Sequence, residues 1–243
     1  MSILSNAVSG LNAYQRALAT TSQNIANVNT EGYTRQVVEL SAQAPQLVAG
    51  SYDGKGVSVS NISRVFNQFL FDQTLSRSSS YNETDAFLMA SQQLDATLGE
   101  PSTSLAGPLQ SFFNAIQDVA SNPTSIPARQ VAIAEGENIA DRFSSLNQQL
   151  MELKSSTNTQ LSTAVSRLNS LAESVRDVNI EIARASGATG GNNAPNDLLD
   201  QRDKLVTEMA TLTDVSTSVA ADQTMSVFIG TGQALVIGTD TNP

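Results

Sequence analysis

Apolar residues recur every seven positions at the start of the chain. Leu4, Leu11, Leu18 and Ile25 form one row, and Ala7, Tyr14, Thr21 and Val28, three places after each, form a second. This a/d seam of four heptads predicts a helix over Ser2 to Val28, about 40 Å long at 1.5 Å per residue. Asn12, Ser22, Gln23 and Asn27 lie off the seam, and Arg16 is the only ionised side chain before Glu31. A solvated helix face ordinarily carries Glu and Lys. The pattern therefore reads either as a plain coiled-coil strand or as a helix covered on several sides. Thr30, Glu31 and Gly32 predict a turn, with the helix stopping near Asn29.

Beyond the turn, Tyr33 to Leu40 is rich in β-branched and aromatic residues and reads as extended. Residues 41–61 read as irregular, broken by Pro45, Gly50, Gly54 and Gly56, except for the alternating strand Val57 to Ser60, which is a partner for Tyr33–Leu40. Helical spacing then runs from Ile62 and Phe66 through Phe69, Leu70, Leu75, Phe87, Leu88 and Leu94 to Leu98. It softens between Ser76 and Thr84, either as a polar facet or as a break at Ser78–Ser80; one helix ending at Gly99, before Pro101, is the preferred reading. Pro108 opens a shorter helix through Phe112, Phe113, Ile116 and Val119, closed by Asn122–Pro123.

The longest helix is expected from Pro127 to Ser186, about 60 residues and about 90 Å. Its seam is Ile139, Phe143, Leu146, Leu150, Leu153, Thr157, Leu161, Ala164, Leu168, Leu171, Val175, Val178, Ile182 and Ala185. Two consecutive four-residue steps at Thr157 and Leu161 form a stutter that locally unwinds a left-handed supercoil. A stripe of this length needs partners, since propensity alone stabilises a helix little; the two preceding helices are the available ones. Residues 187–194 read as a flexible loop and Pro195 as the start of another helix. The period then changes to two, giving strands around Val215–Val219, Met225–Ile229 and Leu235–Ile237, with a turn at Gly230–Gly232. The expected fold is mainly α, a long-helix antiparallel bundle or coiled coil with small β segments. The expected parts are a heptad helix over 1–32, an extended linker over 33–63, a helical bundle over 64–213 and the beginning of a β region over 214–243. A three-strand sheet with an abrupt polar end reads as the start of a longer protein.

Composition narrows the chemistry. The 243 residues include no Cys, His or Trp. That removes disulfides, thiolate nucleophiles, iron–sulfur ligation, imidazole bases and the commonest metal ligand. Against 23 Asp and Glu stand 13 Lys and Arg, a net charge of −10, which disfavours nucleic acid as a partner. With a mean hydropathy of −0.14 and no long apolar run, membrane insertion is not expected. The N-terminus shows no basic region leading into an apolar stretch, so no cleaved signal peptide is expected. Ser, Thr, Asn and Gln together exceed a third of the chain, and among the basic residues only Lys55, Lys154 and Lys204 are lysines. This suits surfaces that become covered by neighbours, and equally a simple low-complexity helical protein.

No catalytic or cofactor-binding set emerges. Gly54-Lys55-Gly56 lacks a P-loop frame, and Gly230-Thr231-Gly232 lacks the rest of a dinucleotide fingerprint. Glu135 and Glu137 fall on different faces of their helix. Asp197, Asp200 and Asp203 have a spacing that suggests metal, but the interleaved Arg202 and Lys204 favour a solvated face with helix ion pairs. No metal, no cofactor and no enzymatic activity is expected.

The informative segment is Ser22-Gln23-Asn24-Ile25-Ala26-Asn27-Val28-Asn29-Thr30-Glu31-Gly32-Tyr33-Thr34-Arg35-Gln36. With the Leu4/Leu11/Leu18 heptads it resembles the signature of the rod, hook and hook-associated family of bacterial flagellar axial proteins. Gly56 to Arg64 followed by Phe69-Leu70-Phe71-Asp72-Gln73, and Asn196-Asp197-Leu198-Leu199-Asp200-Gln201-Arg202-Asp203, resemble the hook-associated, junction-forming branch. Rod and hook proteins are alternatives within the family. A coiled-coil signalling or adhesin fragment, and an enzyme with its active site elsewhere, are alternatives outside it.

The resemblance implies a structural protein of the hook–filament junction, outside the cell, exported by the flagellar type III route. Its implied partners are copies of itself, the hook protein, the adjacent junction protein and an export chaperone acting on a C-terminal region. It implies that Leu4, Leu11, Leu18 and Ile25 form a seam with a C-terminal helix of the same chain. Asn24, Asn27, Asn29, Thr30, Gly32, Tyr33 and Arg35 would shape the helix exit and the subunit contacts. For Asn27 and Asn29 helix capping stands equally beside an intersubunit role, and for Gly32 a conformational role is the preferred one. With its partner helix missing, residues 1 to about 30 are expected to be largely disordered in an isolated monomer, which hydrogen exchange would report.

Overall fold

The computed structural model describes residues 3–48, 50–99, 104–188 and 195–242. Its element order is α1 (Ile3–Ala26), β1 (Gln36–Ala42), β2 (Gln46–Val48), β3 (Ser51–Asp53), β4 (Val57–Arg64), α2 (Gln68–Gly99), α3 (Ala106–Ser121), α4 (Ile126–Ala188), α5 (Asn196–Ala210), β5 (Val215–Val219), β6 (Met225–Ile229), β7 (Gln233–Ile237) and β8 (Asp240–Thr241). The fold is mainly α, as the long helical periods require. Two compact units form: residues 1–82 with 167–243, and residues 83–166. The expected parts follow sequence order, whereas the first unit draws on both ends of the chain.

In the first unit, β1 pairs antiparallel with β4, and Ser60 is the extra residue of a bulge opposite Glu39/Leu40. Residues 41–61 are more regular than expected, since β2 and β3 form a small hairpin across Gly50, whose φ of +86° suits the turn. Ile62 belongs to β4, where it pairs with Val38, and not to the second helix. That helix begins at Gln68 because Asn67 caps it, its Oδ1 accepting the Leu70 N–H at 3.2 Å. The β5–β8 meander has one strand more than expected, the two-residue β8.

The core of this unit joins Leu75 of α2, Leu171, Ala172 and Val175 of α4, Val206, Met209 and Ala210 of α5, and Val215, Met225, Val227, Leu235 and Val236 of the sheet. Val178, Ile182 and Leu199 extend the α4–α5 contact. Two buried polar side chains tie the layers. Ser79 points its Oγ at the Ala210 and Thr213 carbonyls, satisfying the C-terminal end of α5, so the polar stretch of α2 is a joint within a continuous helix. Asn179 donates to the Met225 and Gly238 carbonyls at 2.8 and 2.6 Å and accepts the Met225 N–H at 3.1 Å.

The second unit holds the C-terminal part of α2, α3 and residues 126–166 of α4. Gly136 faces the Phe112 ring, with room for a Cβ at 3.5 Å, and Phe112 meets Phe113 edge-on. Of the expected α4 seam, Leu171, Val175, Val178 and Ile182 are buried in the first unit, while Phe143, Leu150 and Leu161 of the second remain exposed. Pro101 and most of the expected loop at 187–194 lie outside the described residues.

Helix α1 is formed and docked, so the expected disorder neglected a contact. Ala13 and Thr20 are buried, while Leu4, Leu11, Leu18 and Ile25 are 71%, 59%, 70% and 69% exposed. At 100° per residue the two rows fall on opposite sides of the helix. The docked side faces β1 and β4 through small and polar groups worth about 1 kcal/mol per hydrogen bond. The expectation narrows accordingly: α1 amides should exchange with deuterium well before those of α5, and equal protection would refute it. For the sheet, Asn179→Ala leaves three backbone groups without this partner, two of them buried. It should lower stability by about 3 kcal/mol, read as a lower urea midpoint at unchanged m-value.

Candidate functional site

The exit of α1 is organised by one side chain. Asn24 donates from Nδ2 to the Gln36 carbonyl at 2.8 Å, and its Oδ1 accepts the Gln36 N–H at 2.9 Å and the Tyr33 hydroxyl at 2.8 Å. The amide thus closes both main-chain groups of Gln36, as a neighbouring strand would. Between them the chain turns. Asn27 donates to the Gln23 carbonyl at 3.0 Å, within the end of the helix, and Thr30 donates its hydroxyl to Asn27 Oδ1 at 3.2 Å. Gly32 has φ +82°, and a Cβ there would stand 3.3 Å from that of Lys204. Asn29 and Arg35 are exposed, and the Arg35 carbonyl accepts the Val65 N–H at 2.8 Å.

This turn rests on α5, whose acidic residues correct the reading of a solvated face. Asp200 and Asp203 are only 6% and 7% exposed. Asp200 accepts the Thr34 N–H at 2.8 Å and an Arg64 guanidinium N–H at 3.0 Å. Asp203 accepts from the same Arg64 nitrogen at 2.6 Å, and Asp197 accepts the Gln36 side-chain amide at 3.1 Å. Asn196 donates to the Ile62 carbonyl at 2.6 Å, and Lys204 pairs with Glu31 at 3.4 Å. The three sequence segments singled out above, at 22–36, 56–64 and 196–203, therefore converge across 134 to 166 residues of chain. Arg64 also lies 4.1 Å over the Phe66 ring. Arg202, which had suggested a surface ion pair, is buried and donates to the Gln223 carbonyl at 2.5 Å, in a turn where Gln223 has φ +69°.

The other docking point lies near the start of α1. Asn6 donates to the Gly54 carbonyl at 3.1 Å, and Ser9 Oγ accepts the Val57 N–H at 3.2 Å. Asn6, Ser9, Gly56, Arg64 and the α5 aspartates were not among the expected site residues. The aspartates carried a usable signal: three like charges at i, i+3 and i+6 on one helix stripe call for partners from outside the helix. No group of three or more acidic side chains suited to a metal occurs among the described residues. A cavity of about 330 Å³ between the turn and α5 is lined by Asn27, Thr30, Gly32, Tyr33, Asp197 and Asp200, among others. Of its lining groups, Tyr33, Asn27, Asp197 and Asp200 hydrogen-bond within the joint.

The electrostatics follow from burial. Burial raises the Asp203 carboxyl above the ordinary carboxylate range against the lowering influence of Arg64 and Arg202, with Asp200 adding to the rise. Burial lowers the Arg202 guanidinium, opposed by Asp203. Burial, then the charges of Asp197 and Asp200, raise the Tyr33 phenol. Since the folded pKa of Asp203 exceeds the unfolded one, its favourable contribution is complete below about pH 3.9 and is lost as pH rises through the raised value. Asp203→Asn keeps an acceptor for Arg64 and should remove this slope from urea midpoints measured across the acid range; an unchanged profile would refute the assignment. Arg64→Met strands two buried carboxylates and should cost about 3–5 kcal/mol.

Residues 91–243 match the model of the flagellar hook-associated protein FlgK helical domain, and residues 4–34 match that of the flagella basal body rod proteins. Flagellar hook-associated protein 1 of Salmonella typhimurium is 35% identical over 237 residues, 98% of this chain and 43% of that protein. The protein of the same name from Bacillus subtilis is 32% identical over 224 residues, 88% of this chain and 43% of its own length. The solved flagellar hook junction protein FlgK from Burkholderia pseudomallei superposes with a TM-score of 0.60 at 28% identity, covering 71% of this chain and 29% of that one. The chain thus spans less than half the length of the relatives it matches. With a helical-domain match over residues 91–243 and the rod-type N-terminus ahead of it, the chain belongs to the FlgK family of flagellar hook-associated proteins.

Proposed function

We propose that this chain belongs to a structural protein that forms the junction between flagellar hook and filament, without catalysis. The observation that carries the reading is α1, a helix held by its polar side with its apolar heptad row exposed. Fully burying a Leu or Ile side chain contributes about 1.5–3 kcal/mol, and with about two thirds of each still exposed the four seam residues reward an apolar helix laid along them by about 4–8 kcal/mol. The occupant proposed is a heptad segment from the C-terminal part of the same protein, with neighbouring subunits packed around the pair. Leu4, Leu11, Leu18 and Ile25 form that seam. Asn24, Asn27, Asn29, Thr30, Gly32, Tyr33 and Arg35 set the direction of the helix and the subunit contacts near its exit.

The partners proposed are further copies, the hook protein on one side and the adjacent hook-associated protein on the other, with an export chaperone engaging a C-terminal region. The site of action is extracellular, reached by the flagellar type III route. No helix among the described residues is long and apolar enough to cross a membrane. The test is complementation of a strain lacking its junction protein, which makes hooks but sheds filament subunits into the medium. The full-length gene should restore filaments. Leu11→Gln combined with Leu18→Gln should abolish that rescue while shifting the melting of the isolated 243-residue chain little, because both positions are exposed in it. Normal filaments from the double variant would overturn the seam.

A further inference from the structure

Helix α1 carries a second seven-residue row beside the apolar one. Asn6, Ala13 and Thr20 recur at intervals of seven, Ser9 and Asn24 flank them, and Ala13 and Thr20 are buried. On a helix of 3.6 residues per turn this row lies directly behind Leu4, Leu11 and Leu18. What it meets is the β1–β4 ladder, and it is fastened at both ends. Near the N-terminus, Asn6 and Ser9 bond the Gly54 carbonyl and the Val57 N–H. At the exit, Asn24 closes both main-chain groups of Gln36. Two fastenings some 15 residues apart fix rotation about the helix axis, which one would not.

Contact is closest at Gly56. A Cβ there would collide with Ser9 Oγ and would lie 3.3 Å from Ser9 Cβ and 3.4 Å from the Asn6 backbone. Gly56 also has φ +86°, a conformation that side chains strain. Glycine is therefore required twice over, for the turn into β4 and for the approach of the helix.

We propose that the β1–β4 ladder is a splint that sets the rotation of α1, with Gly56 and Ser9 as its positioning residues, so that the leucine row is turned outward toward its partner helix in the assembled junction. This rests on the seam reading above but concerns the opposite face of the helix. The splint and the partner hold α1 from two sides. The small residues of the docked row keep the ladder close, and its hydrogen bonds penalise any rotation that would carry Asn6, Ser9 or Asn24 away from their backbone partners.

The test uses the full-length protein in assembled junctions. A photo-reactive benzoylphenylalanine replaces Arg16, an exposed residue lining a cavity of about 320 Å³ with Ser9, Val57, Ser58 and Val59. The same group at Leu18 serves as the control on the other side. Position 16 should yield adducts to residues 57–59 of its own chain, and position 18 adducts outside residues 36–64. Adducts from position 16 to a neighbouring subunit, or to no part of the ladder, overturn the splint. A second arm is Gly56→Val, expected to reduce complementation at least tenfold while the purified chain stays folded with a lowered melting temperature, since the turn into β4 is strained. Unimpaired complementation, or global unfolding, removes Gly56 as a positioning residue. The two readings fail separately: if the leucine variants assemble normally, the seam falls, and the position-16 adducts still report whether the ladder holds the helix.

Discussion

A helix that leaves its axis exposes main-chain groups, and here those of residues 34 and 36 must be satisfied where the chain is partly buried. Asp200 takes the Thr34 N–H and Asn24 takes both groups of Gln36. The rest of the arrangement depends on this. Once Asp200 is committed and buried, it needs a countercharge, and Arg64 at the end of β4 supplies it while also pairing with Asp203. Arg202 adds a second cation beside Asp203. Two carboxylates and two guanidiniums are thus held together in a poorly solvated place. Such sets add little net stability over an apolar filling, but removing one member leaves an unpaired charge.

Energetics separate holding the helix from fixing it in an assembly. The ladder holds α1 by hydrogen bonds of about 1 kcal/mol each and by two small buried side chains. The leucine row, if covered, is worth several times more. In the proposed assembly the weak contact aims the helix and the strong one secures it. The polar composition of the docked side follows, since an apolar row there would compete with the seam for the same partner and remove the distinction between front and back.

The helices were legible in the sequence because their periods are long, and the antiparallel partner of the signature strand was found from four alternating residues. Local pattern failed where the deciding contact is distant. Ile62 and Phe66 fit helical spacing as well as they fit a strand and its exit, and only pairing with Val38 fixes the former. The β2–β3 hairpin hid among glycines that read simply as breakers. The α5 aspartates appeared solvated because Arg202 and Lys204 stand next to them in sequence, yet Arg202 turns to Gln223 and the aspartates to residues more than 130 positions earlier. The leucine row was legible as a seam, while the row behind it was too small and polar to announce a docking face.

The surplus of Ser, Thr and Asn has a physical use in this fold. At the joints their side chains bind backbone, as Asn24, Asn179, Asn196, Ser9 and Ser79 do. Along the helices the hydroxyls of Thr21, Thr74, Ser144, Thr157, Thr163 and Ser174 donate to the carbonyl four residues earlier. Such a hydroxyl costs a helix a little in propensity but already has an acceptor. Covering it with a neighbour therefore requires less desolvation than covering a Lys or Glu, whose charge would have to be paired again at every contact. Helix faces built this way can remain wet or become an interface at nearly the same cost. That property suits the proposed assembly, in which such faces would be covered by neighbours, and it would account for uncharged polar residues where an ordinary soluble helix carries charges.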